Sequence, residues 1–286
     1  MSIAKKYELT EEGTLFIRYD SNGLYACTLY QIRALRDFGN VKAGDLGGFI
    51  EKEENLSHEG DCWVYDNAQV YNDAVVRGDA LVYDNALVYY KARIHGNAKV
   101  SGNARVYDDA VVSDDAHIHG NAYVYDSAEV SDNADICGNA RIYGSVWIKR
   151  NALIHGNAQV YHHAVIRGDA RVYGDARIHG STCIHGNARI YGRACIYSYA
   201  HVHDNALVYG DAQIYGDAHI YDNARVHGKA HVCGSGEVCG EAEVAGDAWV
   251  LDKVCSGKHF GDDAEVDVSA STQRDAQQIG RDDHRH

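Results

Sequence analysis

Ligand-type side chains recur as pairs in the C-terminal half of the sequence, and each pair encloses one aliphatic residue. These pairs are Cys183-x-His185, His201-x-His203, His219-x-Tyr221 and Glu237-x-Cys239. Residues two apart in an extended strand point to the same side, so both members of a pair face the same way. Thiolate, imidazole and carboxylate groups are the donors that zinc prefers. The pattern predicts a site for Zn²⁺ or a similar divalent metal, and its predicted ligands are Cys183, His185, His201, His203 and His219. The alternative, which the sequence leaves open, is a face of solvated histidines that binds no metal.

The constant distance between successive pairs belongs to a shorter repeat that runs without interruption through residues 68–250. Every sixth residue from position 70 to position 250 is Val or Ile, at all 31 positions. Every sixth residue from position 68 to position 248 is Ala at 28 of 31 positions, and the exceptions are Val146, Thr182 and Gly236. A fixed short period predicts a solenoid, in which each repeat buries its apolar residues against its neighbours.

The repeat unit is a hexad that reads Ala-x-(Val/Ile)-x-(Gly/Asp)-(Asn/Asp), as in residues 170–175. Its first four residues alternate like a strand, and its last two have the side chains of a tight corner. Three such sides close a triangle, so three hexads make one coil. The exceptions at the Ala position are separated by whole numbers of coils, which places all three on one corner. The sequence therefore predicts an all-β protein, a single-stranded parallel β-helix of about ten triangular coils that rise roughly 4.8 Å each.

Outward tyrosines also recur once per coil on one predicted face. They are Tyr71, Tyr89, Tyr107, Tyr125, Tyr143 and Tyr161. Stacked aromatic rings stabilise neighbouring strands without any ligand. They also form surfaces that bind a sugar chain, nucleic-acid bases or another protein subunit. The sequence leaves these alternatives open.

Composition limits the partners of the chain. The formal net charge is −14, which disfavours binding to a nucleic-acid backbone or to an anionic membrane. Many of the acidic residues are corner residues, so turn geometry alone accounts for them. The first residues lead into no apolar signal segment, and no apolar run reaches the length of a membrane span. We therefore expect a cytoplasmic protein with reduced thiols. No two of its Cys are separated by one full coil, so we expect no disulfide between facing coil positions.

The chain on either side of the repeat predicts different structure. Residues 15–19 and 24–28 alternate like the strands of a hairpin around a turn at 20–23, and residues 29–38 have the apolar spacing of a helix that ends at Gly39. An open end of a solenoid recruits other chains, so this hairpin and helix are predicted to cap it. The predicted regions are a cap at 1–50, a β-helix at 51–251, and an irregular last turn with a polar, disordered tail at 252–286.

The repeat resembles the bacterial transferase hexapeptide repeat. Segments 28–38, 44–50 and 56–66 resemble the YdcK family of β-helix proteins. This resemblance implies a left-handed helix and favours a trimer. Two features depart from the superfamily: glycine comes one position later than usual after the aliphatic residue, and the 31 hexads contain no extruded loop of the kind that helps to cover an acyl donor.

Three functions remain open at this point. The first is a non-catalytic scaffold that presents flat faces to a protein or polysaccharide partner, or to copies of itself in a homo-oligomer. The second, which the resemblance implies, is an acyl-CoA-dependent acyltransferase with a histidine general base at a subunit interface. The third is an acidic mimic of DNA, which the many corner asparagines disfavour. No residue pattern identifies a catalytic histidine.

Overall fold

The computed structural model describes residues 4–20, 23–255, 259–261 and 265–266. The chain divides into two compact units, Met1–Gly168 and Asp169–His286, and each is described by itself. The predicted turn at 20–23 and the predicted tail fall partly or wholly outside the described residues. The predicted region boundaries at residues 50 and 251 stay a prediction.

The first unit begins with three strands, β1 (Tyr7–Asp20), β2 (Gly23–Ala34) and β3 (Leu46–Ile50), followed by a 3₁₀ turn at Glu53–Asn55. Strand β2 pairs antiparallel with both β1 and β3. Strand β3 then pairs parallel with the strand Gln69–Val70 of the repeat, so the hairpin continues one face of the solenoid.

Short strands fill the rest of the first unit. They are β4 (Trp63–Val64), β5 (Gln69–Val70), β6 (Val75–Val76), β7 (Leu81–Val82), β8 (Leu87–Val88), β9 (Arg93–Ile94), β10 (Lys99–Val100), β11 (Arg105–Val106), β12 (Val111–Val112), β13 (His117–Ile118), β14 (Tyr123–Val124), β15 (Glu129–Val130), β16 (Asp135–Ile136), β17 (Arg141–Ile142), β18 (Trp147–Ile148), β19 (Leu153–Ile154), β20 (Gln159–Val160) and β21 (Val165–Ile166). Each of the strands β4 to β18 pairs parallel with the third strand after it, as Gln69 does with Leu87. The unit therefore has three parallel sheets with the predicted register of three hexads per coil.

The second unit continues the same pattern. Its strands are β22 (Arg171–Val172), β23 (Arg177–Ile178), β24 (Cys183–Ile184), β25 (Arg189–Ile190), β26 (Cys195–Ile196), β27 (His201–Val202), β28 (Leu207–Val208), β29 (Gln213–Ile214), β30 (His219–Ile220), β31 (Arg225–Val226), β32 (His231–Val232), β33 (Glu237–Cys239), β34 (Glu243–Val244), β35 (Trp249–Val250), β36 (Lys253–Cys255), β37 (His259–Phe260) and β38 (Glu265–Val266). The fold is a parallel β-solenoid of about 12 turns, which confirms the predicted class. It has more turns than predicted because coil stacking begins at β3 and continues to β38.

The last coil is shorter than the others by two positions. Strand β36 pairs with β33 so that Cys239 lies opposite Cys255. These two cysteines, which are 16 positions apart in the sequence, form a disulfide. The expectation that facing coil positions carry no bridge was wrong, because it assumed that the register of three hexads continues beyond Leu251.

The core of both units consists of the two repeated apolar columns. Every Val and Ile of the column at every sixth position from 70 to 250 is fully buried, and so is every Ala of the column from 68 to 248. The corner residue at every sixth position from Asp66 to Gly246 has a positive φ. Glycine and aspartate tolerate this left-handed conformation, which explains why they fill most of the corners.

Corner side chains also connect successive coils. The carboxylate of Asp84 accepts a hydrogen bond of 2.9 Å from the backbone N–H of Gly102, and that of Asp126 does the same at 2.9 Å from Gly144. Asparagines at the next position form amide ladders, as between Asn121 and Asn139 at 3.1 Å. Much of the acidity of the chain therefore belongs to the corners rather than to a binding surface.

The helix predicted over residues 29–38 was wrong, because β2 extends to Ala34. Leu29 and Ile32 are both buried although they are three residues apart. Residues three apart in a strand point to opposite sides, so β2 is buried on both sides here: Leu29 packs with Tyr71 and Tyr89, and Ile32 lies beside Gly47. A strand that is covered on both sides can thus show the apolar spacing of a helix.

The N-terminus is anchored to the first coil by buried polar contacts. The ammonium group of Lys6 is fully buried and donates to the carbonyl oxygens of Gly60, at 3.1 Å, and Cys62, at 2.8 Å. Burial lowers the pKa of this lysine. The hydroxyl oxygen of Tyr7 lies 2.8 Å from the carbonyl oxygens of Glu53 and Leu56. These contacts satisfy backbone carbonyl groups at the end of the solenoid, as a cap must.

A buried threonine interrupts the alanine column of the second unit. Thr182 is fully buried, and its hydroxyl oxygen has no hydrogen-bond partner among the described residues. We expect Thr182→Val to raise the free energy of unfolding by about 1 kcal/mol, because it removes an unsatisfied hydroxyl and keeps the volume. Val146 occupies the equivalent corner two coils earlier. Chemical denaturation measures the difference, and a loss of stability would show that the hydroxyl is bonded.

Candidate binding surfaces of the solenoid

The tyrosine ladder of the first unit consists of the six tyrosines named above, Tyr71 to Tyr161, one on each coil. Neighbouring ring centroids are 4.8–5.2 Å apart, and their planes differ by no more than 7°. The rings stack because the parallel strands hold them in register. The geometry is that of a continuous aromatic strip.

The hairpin covers the first two rungs of the ladder. Tyr71 is fully buried and Tyr89 is 6% exposed. The ring of Phe16 packs 5.0 Å from that of Tyr71. The guanidinium of Arg18 donates to the Tyr71 hydroxyl at 2.6 Å and lies 3.8 Å from the centroid of Tyr89. Burial raises the pKa of both tyrosines. These two rungs belong to the protein interior, so they contribute no exposed binding surface.

The other four rungs, Tyr107, Tyr125, Tyr143 and Tyr161, are half-buried and are called the open ladder below. Partial burial raises the pKa of Tyr125 to about 12, so its hydroxyl stays protonated at neutral pH. Beside this strip, the guanidinium groups of Arg105 and Arg141 lie 5.4 and 5.7 Å from the ring of Tyr123. The open ladder is therefore an aromatic strip bordered by cations.

An apolar surface also lies on the outer side of the hairpin. Leu15, Ile17 and Tyr19 are 67%, 50% and 78% exposed, and Leu24 opposite Tyr19 is 61% exposed. Side chains of β1 alternate, so these residues point away while Phe16 and Arg18 point to the ladder. Exposed apolar patches of this kind mark protein–protein contacts.

A second aromatic stack lies in the second unit, and sequence analysis missed it. Tyr173, Tyr191 and Tyr209 stack at 4.9 Å, and the ring of His227 follows at 4.6 Å. The imidazole Nε2 of His227 is 2.8 Å from a carboxylate oxygen of Glu243. The same spacing of one tyrosine per coil identifies this stack in the sequence.

The residues predicted to bind metal are neighbours in the second unit. Strand pairing places Cys183 beside His201 and His201 beside His219. The rings of His201 and His219 stack at 4.8 Å and 2°, and those of His185 and His203 at 4.8 Å and 4°. Imidazole lone pairs lie in the ring plane, so the lone pairs of parallel stacked rings do not converge on one ion. The metal role of this set stays a prediction.

Two further ligand-type residues of this face have other partners. The carboxylate of Glu237 lies 2.5 Å from the ammonium group of Lys253 and accepts from Tyr221 at 3.1 Å. The ammonium group lowers the pKa of Glu237. Cys239 is in the disulfide with Cys255. Neither residue adds a donor to the predicted site.

A compact group of donor atoms lies instead in the first unit, at His117, His119 and Asp135. One donor atom from each residue lies within 4.8 Å of the other two. The imidazole Nε2 of His119 is 3.0 Å from a carboxylate oxygen of Asp135. Burial, and then the neighbouring His119, lower the pKa of His117. The sequence analysis assigned no role to these residues.

Within the described residues, no helix has the length and apolar character needed to cross a membrane.

The stacked coils and their flat outward faces define the class of the protein, a parallel β-solenoid repeat protein. A family model described as the YdcK β-solenoid repeat matches residues 98–114, 104–120, 135–150, 170–186, 212–228 and 218–234. These segments of the chain are similar to the YdcK β-solenoid repeat, which confirms the resemblance seen in the sequence.

One curated relative is the protein called "Uncharacterized acetyltransferase YdcK" from Escherichia coli (strain K12). The two sequences are 41% identical over 73 residues, which is 25% of this chain and 22% of the relative. The chain thus matches about a fifth of the length of that relative.

Proposed function

We propose that this chain is a non-catalytic β-solenoid that binds proteins through the open ladder, and that a further copy of the chain is one such partner. The open ladder is Tyr107, Tyr125, Tyr143 and Tyr161, half-buried and in register. Its rigid strands hold the rings in place before binding, so a partner loses little entropy in ordering them.

The observation that carries this proposal is that the chain's own hairpin already binds to the first two rungs of the tyrosine ladder. The hairpin places Phe16 and Arg18 on Tyr71 and Tyr89. Phe16 packs on the ring of Tyr71, and Arg18 packs on the ring of Tyr89 and donates to the hydroxyl of Tyr71. The open ladder repeats the same chemistry on every coil, so it suits another strand of that kind.

A second copy supplies matching surface. The outer side of the hairpin exposes Leu15, Ile17 and Tyr19. Every copy of the chain carries both this apolar surface and the open ladder, so each surface is available to a neighbouring copy. Closed oligomers bury such repeated surfaces without leaving one unpaired. We therefore expect a small closed oligomer, a trimer by resemblance, joined through side faces rather than through solenoid ends.

Sedimentation velocity tests this proposal on the full chain. We expect wild-type protein to form one closed oligomer and Tyr125→Ala with Tyr143→Ala to dissociate to monomers. The matched control is Tyr191→Ala with Tyr209→Ala, which shortens the second stack and should leave the oligomer unchanged. A wild-type monomer at all concentrations contradicts the proposal. Filaments that lengthen with concentration also contradict it, since they indicate stacking end to end.

A second candidate is acyl transfer from acyl-CoA, favoured by the printed name of the relative as an acetyltransferase. His227 is one imidazole suited to this role, because Glu243 at 2.8 Å orients the ring. In that reaction the imidazole takes the proton of an amine or hydroxyl acceptor, the acceptor attacks the thioester carbonyl, and CoA leaves as the thiol. Release of CoA from acetyl-CoA with a panel of acceptors tests it. Turnover that His227→Ala abolishes would replace the non-catalytic proposal.

A further inference from the structure

Two histidines of the first unit stand side by side on one strand and face an aspartate on the next. His117 and His119 flank the inward Ile118 of β13, so both imidazoles point outward. Asp135 is the register partner of His117 on β16. Parallel strands are about 4.8 Å apart, and residues two apart on a strand are about 6.5 Å apart. Three donors at these spacings can reach one ion.

The pair formed by His119 and Asp135 already has the spacing of two metal ligands. Its nitrogen and oxygen atoms are 3.0 Å apart. In a tetrahedral zinc site with bonds of about 2.0–2.1 Å, neighbouring ligand atoms are roughly 3.3 Å apart. The side chains of His119 and Asp135 are 35% and 43% exposed, so an ion can enter from solvent.

His117 completes the set by a turn of its ring. Its centroid is 4.4 Å from that of His119, and the two planes differ by 24°. Its Nε2 lies 3.2 Å from the Ser101 hydroxyl and 3.5 Å from the Tyr83 hydroxyl. Since all three donor atoms are within 4.8 Å of one another, a side-chain rotation suffices to bring them to bonding distance. The backbone can stay where it is.

We propose that His117, His119 and Asp135 bind one divalent ion of the Zn²⁺ type. Two imidazoles and one carboxylate are a donor set for zinc rather than for calcium or magnesium, which prefer oxygen ligands throughout. Three protein ligands leave a fourth position to water or to a ligand. Among the described residues, this is the group of three His, Cys, Asp or Glu side chains whose donor atoms all lie within 4.8 Å of one another.

This site differs from the one predicted from the sequence. The rings of His201 and His219 lie on different strands with planes 2° apart, whereas those of His117 and His119 lie on one strand and are inclined to each other. Convergence on an ion therefore requires a smaller rearrangement in the first unit. The proposal is independent of the function proposed for the open ladder.

Calorimetric titration with ZnCl₂ tests the proposal on full-length, untagged, metal-stripped protein. All proteins carry His284→Ala and His286→Ala, which remove two histidines close to the end of the chain. We expect one Zn²⁺ per chain, and we expect His119→Ala and Asp135→Ala each to weaken binding by more than about tenfold. Binding should also weaken at acidic pH, because zinc binds the unprotonated form of imidazole.

The matched control is His201→Ala with His203→Ala, which removes two histidines from the other cluster and should leave the affinity unchanged. Visible absorption of bound Co²⁺ should report nitrogen ligands in the control and lose intensity in His119→Ala. Absence of saturable Zn²⁺ binding overturns the proposal. So does binding that survives loss of His119 and Asp135 together. Binding that only the control removes assigns the metal to the cluster predicted from the sequence.

Discussion

Ile154→Asp is expected to unfold the first unit or to lower its free energy of unfolding by roughly 3–5 kcal/mol, the cost of an unpaired buried charge. Ile154 is fully buried on β19 in the Val/Ile column. Its neighbours are the apolar residues of its own and adjacent coils, so no partner neutralises the carboxylate. Because each coil depends on its neighbours, damage in one coil spreads along the unit. Thermal unfolding followed by circular dichroism measures the effect.

Two controls separate charge from size and position. Ile154→Val, which is already the other residue of this column, should cost about 0.5–1.5 kcal/mol. Tyr143→Ser removes an outward ring and should also cost far less than the aspartate. If Ile154→Asp keeps the wild-type melting temperature, the assignment of inward and outward positions is wrong.

Gly48→Ala is the second substitution with a large expected effect, a loss of about 1–3 kcal/mol from overpacking. A Cβ atom at this position would lie 2.7 Å from the carbonyl oxygen of Ala68 and 2.9 Å from that of Tyr65. Both are backbone atoms of the first corner, so they cannot move aside as a flexible side chain would. Strand β3 must shift, and with it the hydrogen bond of 2.9 Å from Phe49 N–H to Ala68.

Displacement of β3 should also loosen the hairpin, since β2 pairs with β3. Limited proteolysis should then cut the hairpin of Gly48→Ala faster than that of the wild type. Gly261→Ala is the matched control, because a Cβ there meets no atom within 4 Å. Equal stability and equal cleavage in the two variants would mean that the close packing of β3 is not required.

The solenoid was predictable from the sequence because one residue type at one period determines it. A Val or Ile at every sixth position has a single way to be buried on all coils, and Gly or Asp at the corners fixes where the chain turns. The N-terminal region was harder. Strand β2 buries both Leu29 and Ile32, three residues apart, and local spacing does not distinguish that from a helix. The Cys239–Cys255 bridge was missed because a slightly shorter coil realigns all later positions.

The binding surfaces were only partly predictable. The spacing of one residue per coil identified the tyrosine ladder, but it gave no sign that the hairpin covers Tyr71 and Tyr89. That contact joins parts of the chain that are far apart in the sequence, and it depends on Arg18, an ordinary residue in its local context. The number of ligand-type residues on successive coils favours the His-rich run of the second unit over the shorter group at His117 and His119. The direction of each side chain decides which group can converge on an ion, and residue spacing does not give that direction.

The corner repeat also determines how such a gene can change in length. An insertion of three hexads adds one whole coil and leaves every later side chain on its original face. An insertion of a single hexad keeps the core but moves each later residue to the next face of the triangle, so Tyr125 would no longer follow Tyr107 in one strip. An insertion that is not a whole number of hexads takes the later Val and Ile residues out of the buried column. An insertion that keeps the reading frame is thus not always tolerated. It must be a whole number of hexads to preserve the core, and a whole number of coils to preserve the outward faces as well.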